Sequence, residues 1–303
     1  MKRVLVTGAG GFIGRHALPQ LASRELVEVH AVSRSLPPEG LSKEVTWHRA
    51  DLLNPSEVSE LLARVRPDSL LHLAWYAVPG KYWTALENLA WVQASLDLLQ
   101  QFARAGGERV VMAGTCAEYD WSQCICSEKS TPLLPQTLYG ASKHALSLML
   151  DAAAGGLNVS AAWGRIFFLY GPHEHPARLV PHVIRGLLRG ETVACTAGTQ
   201  VRDYLHVQDV ASAFVSLLES DVSGAVNIAS GEPVEVREIV RRIADQIGGR
   251  ELVRLGALPT PETEPPLIVA DVERLKTEVG WTPAYSLSDG LAETIEWWSR
   301  EGN

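Results

Sequence analysis

Tyr139 and Lys143 stand four residues apart in Tyr139-Gly-Ala-Ser-Lys143. That spacing puts both side chains one turn apart on the same helix face, within reach of one bound molecule. A phenol and an ammonium so placed are suited to proton transfer. Free Tyr has a pKa near ~10, too high for easy exchange at neutral pH. A nearby ammonium and a cationic ring would favour the phenolate and bring the pair towards working pH. Alone, the spacing also fits a solvated helix face, so its meaning depends on the rest of the chain.

The run Val4-Leu5-Val6-Thr7 reads as a buried parallel strand, and it ends in Gly8-Ala9-Gly10-Gly11-Phe12-Ile13-Gly14 before a helix pattern. Gly8, Gly11 and Gly14 are three apart, unlike the G-x-G-x-x-G of the better-known fingerprint. The physics is shared: glycines permit a tight turn and close backbone approach, and the helix N-terminus offers N–H groups to a pyrophosphate. A dinucleotide with a cationic nicotinamide is the ligand that joins this turn to Tyr139 and Lys143. The tip of the second strand selects between its two forms. NAD-preferring sites place a carboxylate there for the ribose hydroxyls. Here the tip is Ser33-Arg34-Ser35, whose guanidinium and hydroxyls suit a 2′-phosphate. NADP(H) is therefore expected, with NAD(H) as the alternative.

Positioning these groups takes an α/β fold. Strand signals at 3–7, 27–33, 45–50, 69–73, 109–113 and 159–168 alternate with helix signals at 11–23, 56–64, 84–104 and 139–154. This is the rhythm of a doubly wound parallel Rossmann sheet with its ligand at the carboxyl strand ends. After Tyr170-Gly171-Pro172 the rhythm loosens into a smaller C-terminal α/β substrate region. The expected division is a cofactor domain at 1–170, with 204–230 returning to it, and a substrate region at 171–203 and 231–303. A chain of 303 residues with 46% hydrophobic content can bury a core of that size. No apolar run reaches membrane-spanning length, and the first strand begins too early for a signal peptide, so a cytoplasmic protein is expected. A net charge of -8 argues against a nucleic-acid partner. Cys116, Cys124, Cys126 and Cys195 lack metal-ligand spacing and read as reduced thiols; no metal is expected.

In these features the chain resembles the extended short-chain dehydrogenase/reductases that act on nucleotide sugars. The resemblance covers nearly the whole length. It rests on 7–14, Asp51-Leu52, His72-Leu73-Ala74, Asn88, Gly114-Thr115, Tyr139 with Lys143, Tyr170-Gly171-Pro172, Arg202-Asp203-Tyr204 with His206-Val207 and Asp209-Val210, and Leu275 through Gly280-Trp281-Thr282-Pro283. It implies that Thr115, four before Tyr119, hydrogen-bonds the reacting sugar oxygen beside Tyr139 as acid or base, while Lys143 holds the nicotinamide ribose and lowers the phenol pKa. The cofactor residues it implies are Gly8, Gly11, Phe12, Ile13, Ser33, Arg34, Asp51, Leu52, Leu73, Ala74 and Asn88, with Tyr139 and Lys143. Asp51 would meet the adenine edge, or serve only as a turn carboxylate. Arg202 matches the position that holds the substrate diphosphate; pairing with Asp203 or Glu191 is the alternative. Cys116, Tyr204 and Trp75 are further substrate candidates.

Departures from the resemblance narrow the reaction. Dehydratases carry Asp-Glu after the catalytic Thr, and here Cys116-Ala117 follows. Epimerase-reductases carry a Cys two positions after that residue, where this chain has Ala117. A 4-epimerase holds NAD tightly, which Arg34 disfavours. The expected activity is NADPH-dependent reduction of the keto group of a nucleotide-linked 4-keto-6-deoxyhexose. An NAD-dependent 4-epimerase, a reductase of a non-sugar carbonyl and a non-catalytic NADP-sensing protein stay open. The aromatic insert 75–83 and the loop 118–135 could line a sugar pocket or pack as lids. His173 and His175 read as loop residues, and Trp297 and Trp298 as core. Leu86, Leu89, Val92 and Leu96 mark a helix face that a homodimer would cover, although an intramolecular core leaves the same pattern.

Overall fold

The computed structural model describes residues 1–35, 44–123 and 125–301. In chain order its elements are β1 (Lys2–Thr7), α1 (Gly14–Ala22), β2 (Val27–Ser33), β3 (Val45–Arg49), α2 (Pro55–Val65), β4 (Ser69–His72), α3 (Glu87–Arg104), β5 (Arg109–Thr115), β6 (Ile125–Cys126), α4 (Leu138–Leu157), β7 (Ser160–Ile166) and β8 (Phe168–Tyr170). There follow α5 (Leu179–Leu188), β9 (Val193–Ala194), β10 (Val201–His206), α6 (Val207–Glu219), β11 (Gly224–Ile228), β12 (Pro233–Glu235), α7 (Val236–Ile247), β13 (Val253–Arg254), β14 (Leu267–Ala270), α8 (Glu273–Thr277) and α9 (Leu287–Glu301).

Seven strands form one parallel sheet in the order β11-β7-β5-β4-β1-β2-β3. Strand order reverses beside β1, which opens a crevice at the carboxyl ends of β1 and β4. Alternation along β1 sends Val4 and Val6 into a core with Leu18, Leu21 and Phe214, while Leu5 enters another with Leu98, Phe102 and Leu146. The sheet is thus covered on both faces, as continuous apolar parallel strands require. A smaller sheet, β12-β10-β14-β6 with β8 beside β10, stands outside it. A third core of Tyr170, Ile184, Ile239, Ile243, Leu291 and Trp298 lies among the C-terminal helices.

One expected strand, 159–168, is two. β7 pairs with β5 and β11 in the large sheet, and β8 pairs with β10 in the small one. The chain changes sheets at Phe167, whose N–H reaches Ile228 O at 3.3 Å. No helix among the described residues is long and apolar enough to cross a membrane.

Candidate active site

A cavity of about 820 Å³ runs along the carboxyl ends of the large sheet. Its floor is the turn after β1. Gly8 has φ +65°, and a Cβ there would lie 2.7 Å from Ala74 N and 2.8 Å from Leu73 C. At Gly14 a Cβ would lie 2.3 Å from Gly8 O. These contacts force glycine and let the turn close under the cavity. No side chain caps the first turn of α1, and Gly10 through Gly14 line the cavity. That is a cradle for a pyrophosphate. A dinucleotide fits the residues present: beyond the turn the walls are Ser33, Arg34, Asp51, Leu52, Leu73 and Ala74, then Trp75, Thr115, Cys116, Tyr139 and Lys143, then Arg202 and Tyr204.

Asn88 is not part of that wall. It is fully buried at the start of α3, donates to Tyr82 O at 2.7 Å and Ala85 O at 2.8 Å, and accepts from Trp75 Nε1 at 2.8 Å. It pins the insert 75–83 rather than facing the cavity. Asp51 accepts the Leu53 N–H at 3.1 Å, the turn geometry left open from sequence.

The catalytic candidates meet where β5 ends and α4 begins. Thr137 caps α4 by accepting the Gly140 N–H at 3.1 Å, which fixes the turn carrying Tyr139. Tyr139 packs edge-on against Tyr82 at 4.9 Å and Trp83 at 5.8 Å between ring centroids. Thr115 hydrogen-bonds the phenol of Tyr139. Lys143 is buried, donates to Ala113 O at 2.8 Å and lies 3.6 Å over the Trp75 ring.

The charges differ from expectation. Burial pushes the Tyr139 phenol up, and the nearby Tyr82 adds to this against the Thr115 hydrogen bond. Lys143 is lowered to about 7 by burial, against the attraction of Glu118. In the protein without cofactor, enclosure disfavours both charged forms, so the expected lowering of the phenol pKa depends on the charge that a bound cationic nicotinamide would add. The cavity favours a neutral phenol.

Burial also pushes the Cys116 thiol up, with Cys126 adding to it, so Cys116 lines the cavity without being poised for proton transfer or nucleophilic attack. Arg202 pairs with neither of its expected partners. Its guanidinium meets Glu264, donates to Val201 O at 2.8 Å and lies 5.3 Å from the Phe168 ring. Asp203 instead accepts N–H groups of Ser230, Gly231 and Ala270, and Glu191 pairs with Arg189. Of the two loop histidines, His175 lines the cavity, whereas His173 packs on Trp297 at 4.4 Å.

Three residues escaped the sequence reading. Glu118 is fully buried, accepts the Thr115 N–H and pairs with Arg165. The spacing Thr115-x-x-Glu118 is a capping-box pattern and could have announced it. Glu174 and Glu264 line the cavity, and no local pattern marks either.

The sequence profile of the NAD dependent epimerase/dehydratase family matches residues 4–229. The chain belongs to that family. Its members among the relatives are NAD(P)-dependent enzymes of the oxidoreductase type, and so is this protein. It is 32% identical to MoeE5, solved in complex with UDP-glucuronic acid and NAD, with a TM-score of 0.84 over 99% of this chain and 100% of that one. It is 29% identical to the UDP-glucose 4-epimerase of Azospirillum brasilense, over 98% of this chain and 92% of the relative. The dTDP-4-dehydro-6-deoxyglucose reductase of Escherichia coli is 25% identical over 97% and 96% of the two chains.

Proposed function

We propose that the protein reduces the C4 keto group of a nucleotide-linked 4-keto-6-deoxyhexose with NADPH. The observation that carries this reading is that Thr115, Tyr139 and Lys143 line one cavity with Ser33 and Arg34, in a setting that keeps the Tyr139 phenol neutral. A reduction consumes an acid. Tyr139 would give its proton to the carbonyl oxygen while the Thr115 hydroxyl holds that same oxygen, and Lys143 would bind the ribose hydroxyls from the cavity wall. When bound, the reduced nicotinamide supplies the hydride and carries no positive charge to ionise the phenol beforehand. Ser33 and Arg34 at the end of β2 support the phosphorylated cofactor, and the pair Cys116-Ala117 lacks the carboxyls that dehydration needs.

The likeness to MoeE5 with NAD and to the Azospirillum epimerase favours a second reading, a 4-epimerase. That reaction starts with oxidation, for which a cationic ring must first drive Tyr139 to phenolate. The two separate in one assay. NADPH absorbance is followed with 4-keto-6-deoxy sugars carried on UDP, dTDP, GDP and CDP, with NADH and Tyr139→Phe alongside. Stoichiometric NADPH loss with one carrier, absent in the variant, is expected. Isomerised UDP-glucose or UDP-glucuronic acid without loss of either cofactor would transfer the reading to the epimerase. We also propose a homodimer across α3 and α4, where Leu86, Leu89, Leu148 and Met149 are exposed.

A further inference from the structure

Glu174 is a buried carboxyl to which the reaction just described gives no task. Its residue is 8% exposed, it lines the cavity, and its Oε2 meets no hydrogen-bond partner among the described residues. A buried unpaired carboxyl is costly and needs an explanation. The backbone that places it is unusual too. His173, just before it, has φ +70° without being glycine or asparagine, a strained conformation that persists where surrounding structure enforces it. The His173 ring is held against Trp297 at 4.4 Å and near His16 at 6.0 Å. The turn thereby directs the neighbouring carboxyl inward.

The neighbours locate Glu174 relative to the chemistry. Arg178, at the head of α5, is its nearest charge and lies 5.3 Å from the Tyr82 ring. Tyr82 in turn packs on Tyr139 at 4.9 Å. From β10, Tyr204 faces Glu174, with Arg202 and Glu264 beyond it. Glu174 thus neighbours the catalytic phenol through Arg178 and Tyr82 and shares the cavity wall with Tyr204, while the turn before it reaches α1 through His16. We propose that Glu174 is a specificity residue that reads two adjacent hydroxyls of the sugar ring, giving a hydrogen bond to one and taking one from the other.

This rests on the nucleotide-sugar reading above. Two observations choose hydroxyls over other groups. Arg178 beside the carboxyl opposes a cationic amine on the ligand. Burial raises the Glu174 pKa to about 8, outweighing Arg178, so at neutral pH it is a carboxylic acid with one donor and an acceptor. A vicinal diol complements that pair.

The test compares the affinities of UDP and dTDP with those of UDP-glucose and dTDP-glucose, using the NADPH-loaded wild type, Glu174→Gln and Glu174→Ala across pH 8. In wild type the advantage of the sugar nucleotide over the bare diphosphate should change as pH passes about 8, where the donor is exchanged for a second acceptor. Glu174→Gln, an amide with donor and acceptor, should keep that advantage and flatten its pH dependence. Glu174→Ala should lose ~10-fold on the sugar nucleotides and nothing on the diphosphates. It should bind NADPH normally and unfold at a higher temperature, since a buried unpaired group is gone. Equal losses on diphosphates and sugar nucleotides, an unchanged Glu174→Ala, or tighter binding of an amino sugar would overturn the assignment. If the wild type binds none of these probes and none of the corresponding GDP and CDP pairs, the nucleotide-sugar reading itself fails, which is a separate result.

Discussion

The carboxylate of Glu118 accepts the backbone N–H of Thr115 at 2.8 Å and pairs with the Arg165 guanidinium at 2.8 Å. It also takes the indole N–H of Trp163 at 2.9 Å. Arg165 passes the network to Tyr119, whose hydroxyl donates to Asn227 at 2.7 Å. Thr115, the group proposed to hold the reacting oxygen, therefore hangs from a buried ion pair anchored in β7 and β11. Glu118→Ala should cost about 3–5 kcal/mol of stability, because Arg165 is left charged and unpaired in the core. Gly114→Ala should disturb the same anchor, since its Cβ would lie 2.1 Å from Trp163 Nε1 and 2.7 Å from Glu118 Oε1. Denaturant unfolding reads both; wild-type midpoints would mean that the network tolerates rearrangement.

Thr115 and Tyr139 should separate chemistry from binding. Tyr139→Phe removes the proton and keeps the ring contacts with Tyr82 and Trp83, so kcat should fall by ~10²–10⁴ while NADPH affinity holds. Thr115→Ser should keep most activity and Thr115→Val should lose it, because the hydroxyl is the group that hydrogen-bonds Tyr139. Thr115→Val with wild-type kcat would remove the threonine from the mechanism.

What the sequence made legible was local. Gly8, Gly11 and Gly14 lie within seven residues, and Tyr139 and Lys143 within one helical turn, so spacing alone carries their geometry. The strand rhythm fails only at Phe167, where β7 and β8 join different sheets through partners, β11 and β10, far along the chain. The pairing of Arg202 with Glu264 spans 62 residues, and no pattern at either end announces it. The direction of the Tyr139 shift was beyond reach for another reason. Its cause is enclosure by Tyr82 and Trp83 from an insert whose path only the fold reveals.

Arg34 should set cofactor choice. It lines the cavity at the end of β2, beside a Ser33 hydroxyl that donates to Ser35 O. Arg34→Asp replaces the cation proposed to bind the 2′-phosphate with a carboxylate that would repel that phosphate and accept from ribose hydroxyls. KM for NADPH should rise ~10-fold or more and KM for NADH should fall. Similar KM values for both cofactors in the wild type would end the NADPH preference.

Lys143 should give the ligand-free protein a distinctive pH profile. Its pKa is about 7 when folded, against an ordinary value of 10.5 that applies to the unfolded chain. Between those values the unfolded chain binds more protons, so this residue makes stability rise as pH climbs from about 7 towards ~10.5. Below pH 7 the ammonium is charged in both states and the full cost of burying it is present, roughly 4–5 kcal/mol at most. Lys143→Met should remove that cost. The variant should be more stable than wild type at about pH 6, with the gap closing as pH nears 10. Glu174 acts with the opposite sign, its pKa raised to about 8 by burial, so stability falls from ~4.5 up to there. Comparing wild type with Lys143→Met at each pH cancels that slope. A gap that stays constant across the range would mean that Ala113 O and the Trp75 ring keep the ammonium charged throughout.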